Sequence, residues 1–168
     1  MDSEIALLRL LHIVPGVVWV GSVVFLAVIL QPALAKAGPE HAAAVMKHVV
    51  KPLSMLLHSA AWSTMVVGVI LAFRVRPDGL FDVLWSTGWG WMIFSGFVFA
   101  VVGYAVGVMA SIAGKKMGVL GASFAGRPPE PAEMAEMGRL QTRSKITTRL
   151  GAFLVTFAVV CMALARFV

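Results

Sequence analysis

The chain has 168 residues, 60% of them hydrophobic and only 13% charged, with a mean hydropathy of +0.90. A soluble domain carries about a quarter charged residues, so this composition excludes a soluble globular enzyme. The formal charge of +6 needs no nucleic acid as a partner, because its placement along the chain already accounts for it.

Four stretches are long enough to cross a hydrocarbon core, which takes ~20 helical residues: roughly 5–30, 53–73, 84–112 and 146–168. The first is too long, and its leader too acidic, for a cleaved signal peptide. Its interior Pro15 removes one backbone donor and predicts a kink. It is expected to end near Gln31-Pro32. The segment 38–50 interleaves Val45, Met46 and Val49 with His41, Lys47 and His48, which predicts a short interfacial helix leading to the second span at Pro52. Arg76-Pro77-Asp78-Gly79 is a turn signal. Trp85, Trp89 and Trp91 open the third span as an interfacial aromatic belt.

On that third span Gly96, Gly103, Gly107 and Gly114 recur at spacings of seven, four and seven, and so share one face. Such a face serves close helix packing or a flat ligand, and it allows a homodimer. The stretch from Gly118 to Pro131 is rich in Gly and Pro and reads as a connection, whereas 132–145 is free of breakers and extends the fourth helix outward. The chain is thus predicted to be a single all-α integral membrane domain over residues 1–168, an up-down bundle of four transmembrane helices.

Ten basic residues fall on one side: Lys36, Lys47, Lys51, Lys115, Lys116, Arg127, Arg139, Arg143, Lys145 and Arg149. Four fall on the other: Arg9, Arg74, Arg76 and Arg166. By the positive-inside rule this predicts a multi-pass protein of the inner (cytoplasmic) membrane with both termini outside. The single Cys161 offers no disulfide and no thiolate cluster.

Histidines in or beside apolar spans are the candidate chemistry, since a titratable ring in lipid needs a partner. His12, Gly16 and Trp19 share one face of the first span, while His48, Lys51, Met55, His58 and Trp62 form a stripe entering the second. A histidine flanked by a small residue and an aromatic suits a haem pocket, with Met or a second His as the other ligand. The alternative is a histidine bonded to a backbone carbonyl within the bundle. In straight, centred helices the two rings stand roughly 13 Å apart in height, too far to share one iron. Candidate second ligands are Met92 or Met162 for His12, and Met55, Tyr104, Met109 or His48 for His58. Arg149 is a candidate propionate partner or a snorkelling anchor.

The first span also carries a resemblance. Leu11-His12-Ile13, then Val18-Trp19-Val20-Gly21 and Pro32-Ala33-Leu34 resemble the opening helix of a bacterial superfamily. That superfamily holds the copper-resistance D-type membrane proteins and the haem-binding membrane protoporphyrinogen oxidases. Val67-Gly68-Val69-Ile70-Leu71 is similar to the end of their second helix, so the likeness covers about the first 73 residues. It implies a haem b or copper site at His12, with Trp19 and Gly21 matching the family's following Trp and small residue. The oxidases' Tyr-Leu-Pro-Arg and later Tyr-His have no counterpart at Phe25-Leu26-Ala27-Val28, so porphyrinogen oxidation is not carried over.

The expected function is a haem b protein of the membrane that transfers electrons or binds a small diatomic ligand, with a redox protein or a quinone as partner. Haem-dependent oxidoreductase activity is left open. The alternative is copper transport or resistance through His and Met ligands.

Overall fold

The computed structural model describes residues 3–77, 79–124 and 127–168. The first helical run comprises α1 (Ser3–Phe25), a π-helical turn (Leu26–Leu30) and α2 (Gln31–Ala37). It passes through Pro15 without interruption and outlasts the expected end at Gln31-Pro32. Pro32 lacks the N–H that an α-helical ladder would use there, and the Gln31 amide reaches back five residues to Leu26 O. The extra residue per turn absorbs the proline, and the helix continues as a π-bulge.

Gly38 then reverses the chain at φ +88°, ψ 164°, a backbone region open essentially to glycine. From there α3 runs unbroken over Pro39–Val75. The break expected at Pro52, between an interfacial segment 38–50 and the second span, is therefore absent. Pro52 deletes a single donor, and 37 residues of helix packed beside the first run outweigh it.

A short helix α4 (Leu80–Ser86) follows, and Thr87 ends it and starts α5 (Gly88–Ser123), its hydroxyl accepting from the Gly90 amide at 3.0 Å. The tryptophan belt is thus split between two helices. α5 also outruns its expected end by eleven residues, through Gly114, Gly118 and Gly121. Each glycine costs a helix about 1 kcal/mol, but α6 (Pro131–Leu164) lies alongside, with Met137 in contact distance of Gly121. The breaker-free stretch 132–145 is helical, as its sequence predicts. At its start Glu130 and Glu133 form a reciprocal capping box.

Four long apolar helices therefore form an up-down bundle. The closest pairs are α1 with α3 and α5 with α6. Both chain ends lie near the Arg74–Thr87 turn: Glu4 pairs with Arg74 at 3.3 Å, and Val168 stands beside Gly88. At the opposite, basic end Gln31 Nε2 donates to Thr148 Oγ1 at 2.9 Å, joining the first run to α6.

Part of the glycine face of α5 is used inside the chain. A methyl on Gly96 would meet Met162 Cε at 3.0 Å and Ala158 O at 3.2 Å, and one on Gly103 would meet Val155 Cγ1 at 2.8 Å. Gly151 of α6 faces Gly103 O at 3.6 Å in return. Small residues let these two backbones approach, which in lipid is what drives helix association. Gly107 and Gly114 of the same face stay open, with nothing within 4 Å of a Cβ at either.

Candidate functional site

His12 reaches from α1 to α3. Its Nδ1 lies 2.8 Å from the backbone oxygen of Thr64, so the ring donates Nδ1–H and keeps the lone pair on Nε2. A carbonyl in a helix is shaded by the side chain four residues on, and here that residue is Gly68. A methyl there would stand 2.7 Å from His12 Cε1, so the glycine opens the way to the Thr64 carbonyl. A methyl on Gly16, one turn along α1, would meet Thr64 Cγ2 at 3.4 Å. Thr64 thus stands beside Gly16, and its Oγ1 is buried with no partner among the described residues.

His58 makes a local bond instead, its Nδ1 at 2.9 Å from Ser54 O one turn earlier on α3. Again Nε2 is left as the acceptor. Its ring meets Tyr104 of α5 edge-on, with centroids 5.7 Å apart. Tyr104 is the chain's one tyrosine and the hub of an aromatic cluster. Trp19 of α1 and Trp62 of α3 also meet it edge-on at 6.3 and 6.0 Å, and the Trp62 indole donates to its hydroxyl at 3.0 Å. Of the second ligands expected for His58, the fold brings Tyr104 to it.

The two tryptophans differ in role. Trp19 is 4% exposed and sits in the bundle centre against Ala60, Ala61 and Val155, where two alanines leave room for an indole. Trp62 is 57% exposed and forms a wall of a wholly apolar cleft between α3 and α5. That cleft has a volume of about 730 Å³ and is lined by Met65, Val69, Phe97, Val101 and Tyr104 among others. Its size falls within the roughly 300–1,000 Å³ of small-molecule sites.

Helical geometry separates the two histidines. Thr64 and Gly68 face His12 on a side of α3 roughly 150° from the cleft, whereas His58 lies within about 50° of the cleft's direction. Along α3 the His12 contact stands about 12 Å from His58. The rings meet α3 at different levels and on faces about 100° apart.

The remaining expected residues are dispersed. Met162 packs against Gly96 in the α5–α6 seam, and Met92 is partly buried on α5. Met55 is 66% exposed on the outer side of α3, and His48 and Arg149 are exposed near the basic end. Among the described residues no three of His, Cys, Asp and Glu gather as a metal site. Sequence reasoning missed Thr64 and Gly68 as the partners of His12. Their signal was the small-residue stripe Ala60, Ala61, Thr64, Gly68, spaced to face a neighbouring helix.

No family model matches the chain, and no curated protein or solved structure matches it either. What the structure shows is the coarse architecture alone, an all-α bundle of four long helices.

Proposed function

We propose that this membrane bundle is a haem b protein that carries electrons or binds a diatomic ligand, with His58 as an axial ligand beside the α3–α5 cleft. The observation that carries this reading is the state of the ring. With Nδ1–H held by a backbone carbonyl, the neutral tautomer presents Nε2 to a ligand, as metal-bound histidines usually do. The neighbouring cleft is apolar throughout, which suits the faces of a porphyrin. Lys51 lies exposed on the same stripe of α3, two turns nearer the basic end, and is better placed for propionates than Arg149. When bound, haem supplies a one-electron couple whose potential the axial ligand and burial tune. The residues around it orient the ring and keep water out.

His12 shares the Nδ1–H arrangement and the family resemblance, so it is the ligand of a second site in this reading. The inner membrane, with the basic end in the cytoplasm, is the proposed location. Purified protein is examined for a Soret band, and haem-to-protein ratio is measured for the parent, His58→Ala and His12→Ala. Loss of one haem in the His58 variant supports the reading. A colourless protein holding stoichiometric copper supports the copper alternative, and a colourless, metal-free protein removes both.

A further inference from the structure

Where α6 passes from its polar turns into its apolar ones, a shallow, open hollow lies along one face of that single helix. It is lined by Gly138, Arg139, Thr142, Arg143, Ile146 and Thr147. The run 139–149 carries Arg139, Arg143, Lys145 and Arg149 with no acidic residue. Arg139 is held by Glu136 at 2.9 Å, whereas the exposed Arg143 guanidinium has no ion-pair partner among the described residues. The Thr147 hydroxyl is committed to the Arg143 carbonyl at 2.8 Å. Thr142 is exposed beside Arg143 and makes no side-chain hydrogen bond among the described residues.

Depth identifies the ligand. Ile146 begins the apolar run, and helix rise places Arg143 about 5 Å and Arg139 about 10 Å beyond it. The headgroup layer is about 5–8 Å thick on each side of the hydrocarbon core, so the Arg143 guanidinium stands at phosphate level and Arg139 lies at the layer's outer edge.

We infer that this face of α6 binds the phosphodiester headgroup of an anionic phospholipid, Arg143 and Thr142 gripping the phosphate and the acyl chains descending past Ile146. A guanidinium matches two phosphate oxygens at once, and a cluster of Lys and Arg next to the apolar run of a membrane helix attracts such headgroups. A soluble phosphate would have no use for the apolar side of the recess. Glycine at 138 keeps the upper mouth of the recess free of a side chain, with no atom within 4 Å of the position a Cβ would take.

The test uses full-length protein reconstituted in phosphatidylcholine bilayers doped with phosphatidylglycerol, then extracted into detergent and weighed intact by native mass spectrometry. A retained phosphatidylglycerol is expected on the parent chain. Arg143→Gln and the charge-preserving Arg143→Lys should each lower its occupancy about tenfold, the scale of a charged hydrogen bond, and Thr142→Val should lower it less. Lys145→Gln should leave it unchanged. Circular dichroism confirms that each variant keeps its helix. Retention by Arg143→Lys equal to the parent, or an equal loss in Lys145→Gln, would mean a diffuse field of positive charge and would overturn the site. So would equal retention of phosphatidylcholine.

Discussion

Gly68 and His12 claim the same space: a methyl group built on the glycine would stand 2.7 Å from Cε1 and 2.9 Å from Nδ1 of the imidazole. This contact lets α1 lie against α3 and delivers the ring to the Thr64 carbonyl. Gly68→Ala is therefore expected to push His12 off its acceptor and to destabilise the bundle by about 1–3 kcal/mol. Unfolding curves in mixed detergent measure it. In the His12→Ala background the same substitution should cost much less, and full additivity of the two changes would refute the coupling.

The glycines of α5 are expected to divide sharply. Gly103→Ala meets Val155 Cγ1 at 2.8 Å and should cost about 1–3 kcal/mol. Gly107→Ala meets nothing within 4 Å and should be neutral or stabilising by up to about 1 kcal/mol, since alanine favours helix. Equal effects at the two positions would mean that the α5–α6 seam is not where the fold puts it. Thermal denaturation of the two variants side by side is sufficient.

Tyr104→Phe keeps the ring that touches Trp19, His58 and Trp62 but removes the oxygen that accepts from the Trp62 indole. Its stability cost should be small, about 1 kcal/mol. The sharper readout is Trp62 itself, whose indole N–H resonance is expected to shift once its partner is gone. A Trp62 signal unchanged by the substitution would exclude the bond.

Outside the span, the Arg127–Glu133 pair should persist into acid. The Arg127 guanidinium, the Glu130 backbone amide and the nearby positive charge hold the Glu133 carboxyl down at about 2, against an ordinary 4.5. A carboxyl lowered in the folded state stabilises above its ordinary value and loses that contribution as pH falls through the folded one. The clamp on the start of α6 should thus be intact at neutral pH, weaken below about 4.5 and be gone near 2. A carbon-13 titration of Glu133 measures this directly. A midpoint near 4.5 would show that the pair does not form, and Arg127→Gln should move the midpoint there.

Composition and hydropathy were enough to define four spans and an all-α bundle, because the lipid requirement acts on each segment separately. Every backbone polar group must be satisfied within its own helix, so the fold class is written locally, in runs of apolar residues. The separate levels of His12 and His58 also followed from chain length and helix rise alone. What each histidine faces was decided by tertiary structure. The Thr64 carbonyl is open to His12 because Gly68, from a different helix, has no side chain, and no periodicity within α1 contains that fact. Which glycines of α5 serve close packing was likewise decided by Val155 and Met162 of α6, which meet Gly103 and Gly96 and leave Gly107 and Gly114 open. Pro52 and the stretch from Gly118 read as breaks on intrinsic propensity, which is a weak local term. Once long helices lie side by side, packing along their length outweighs a missing donor or a few flexible residues.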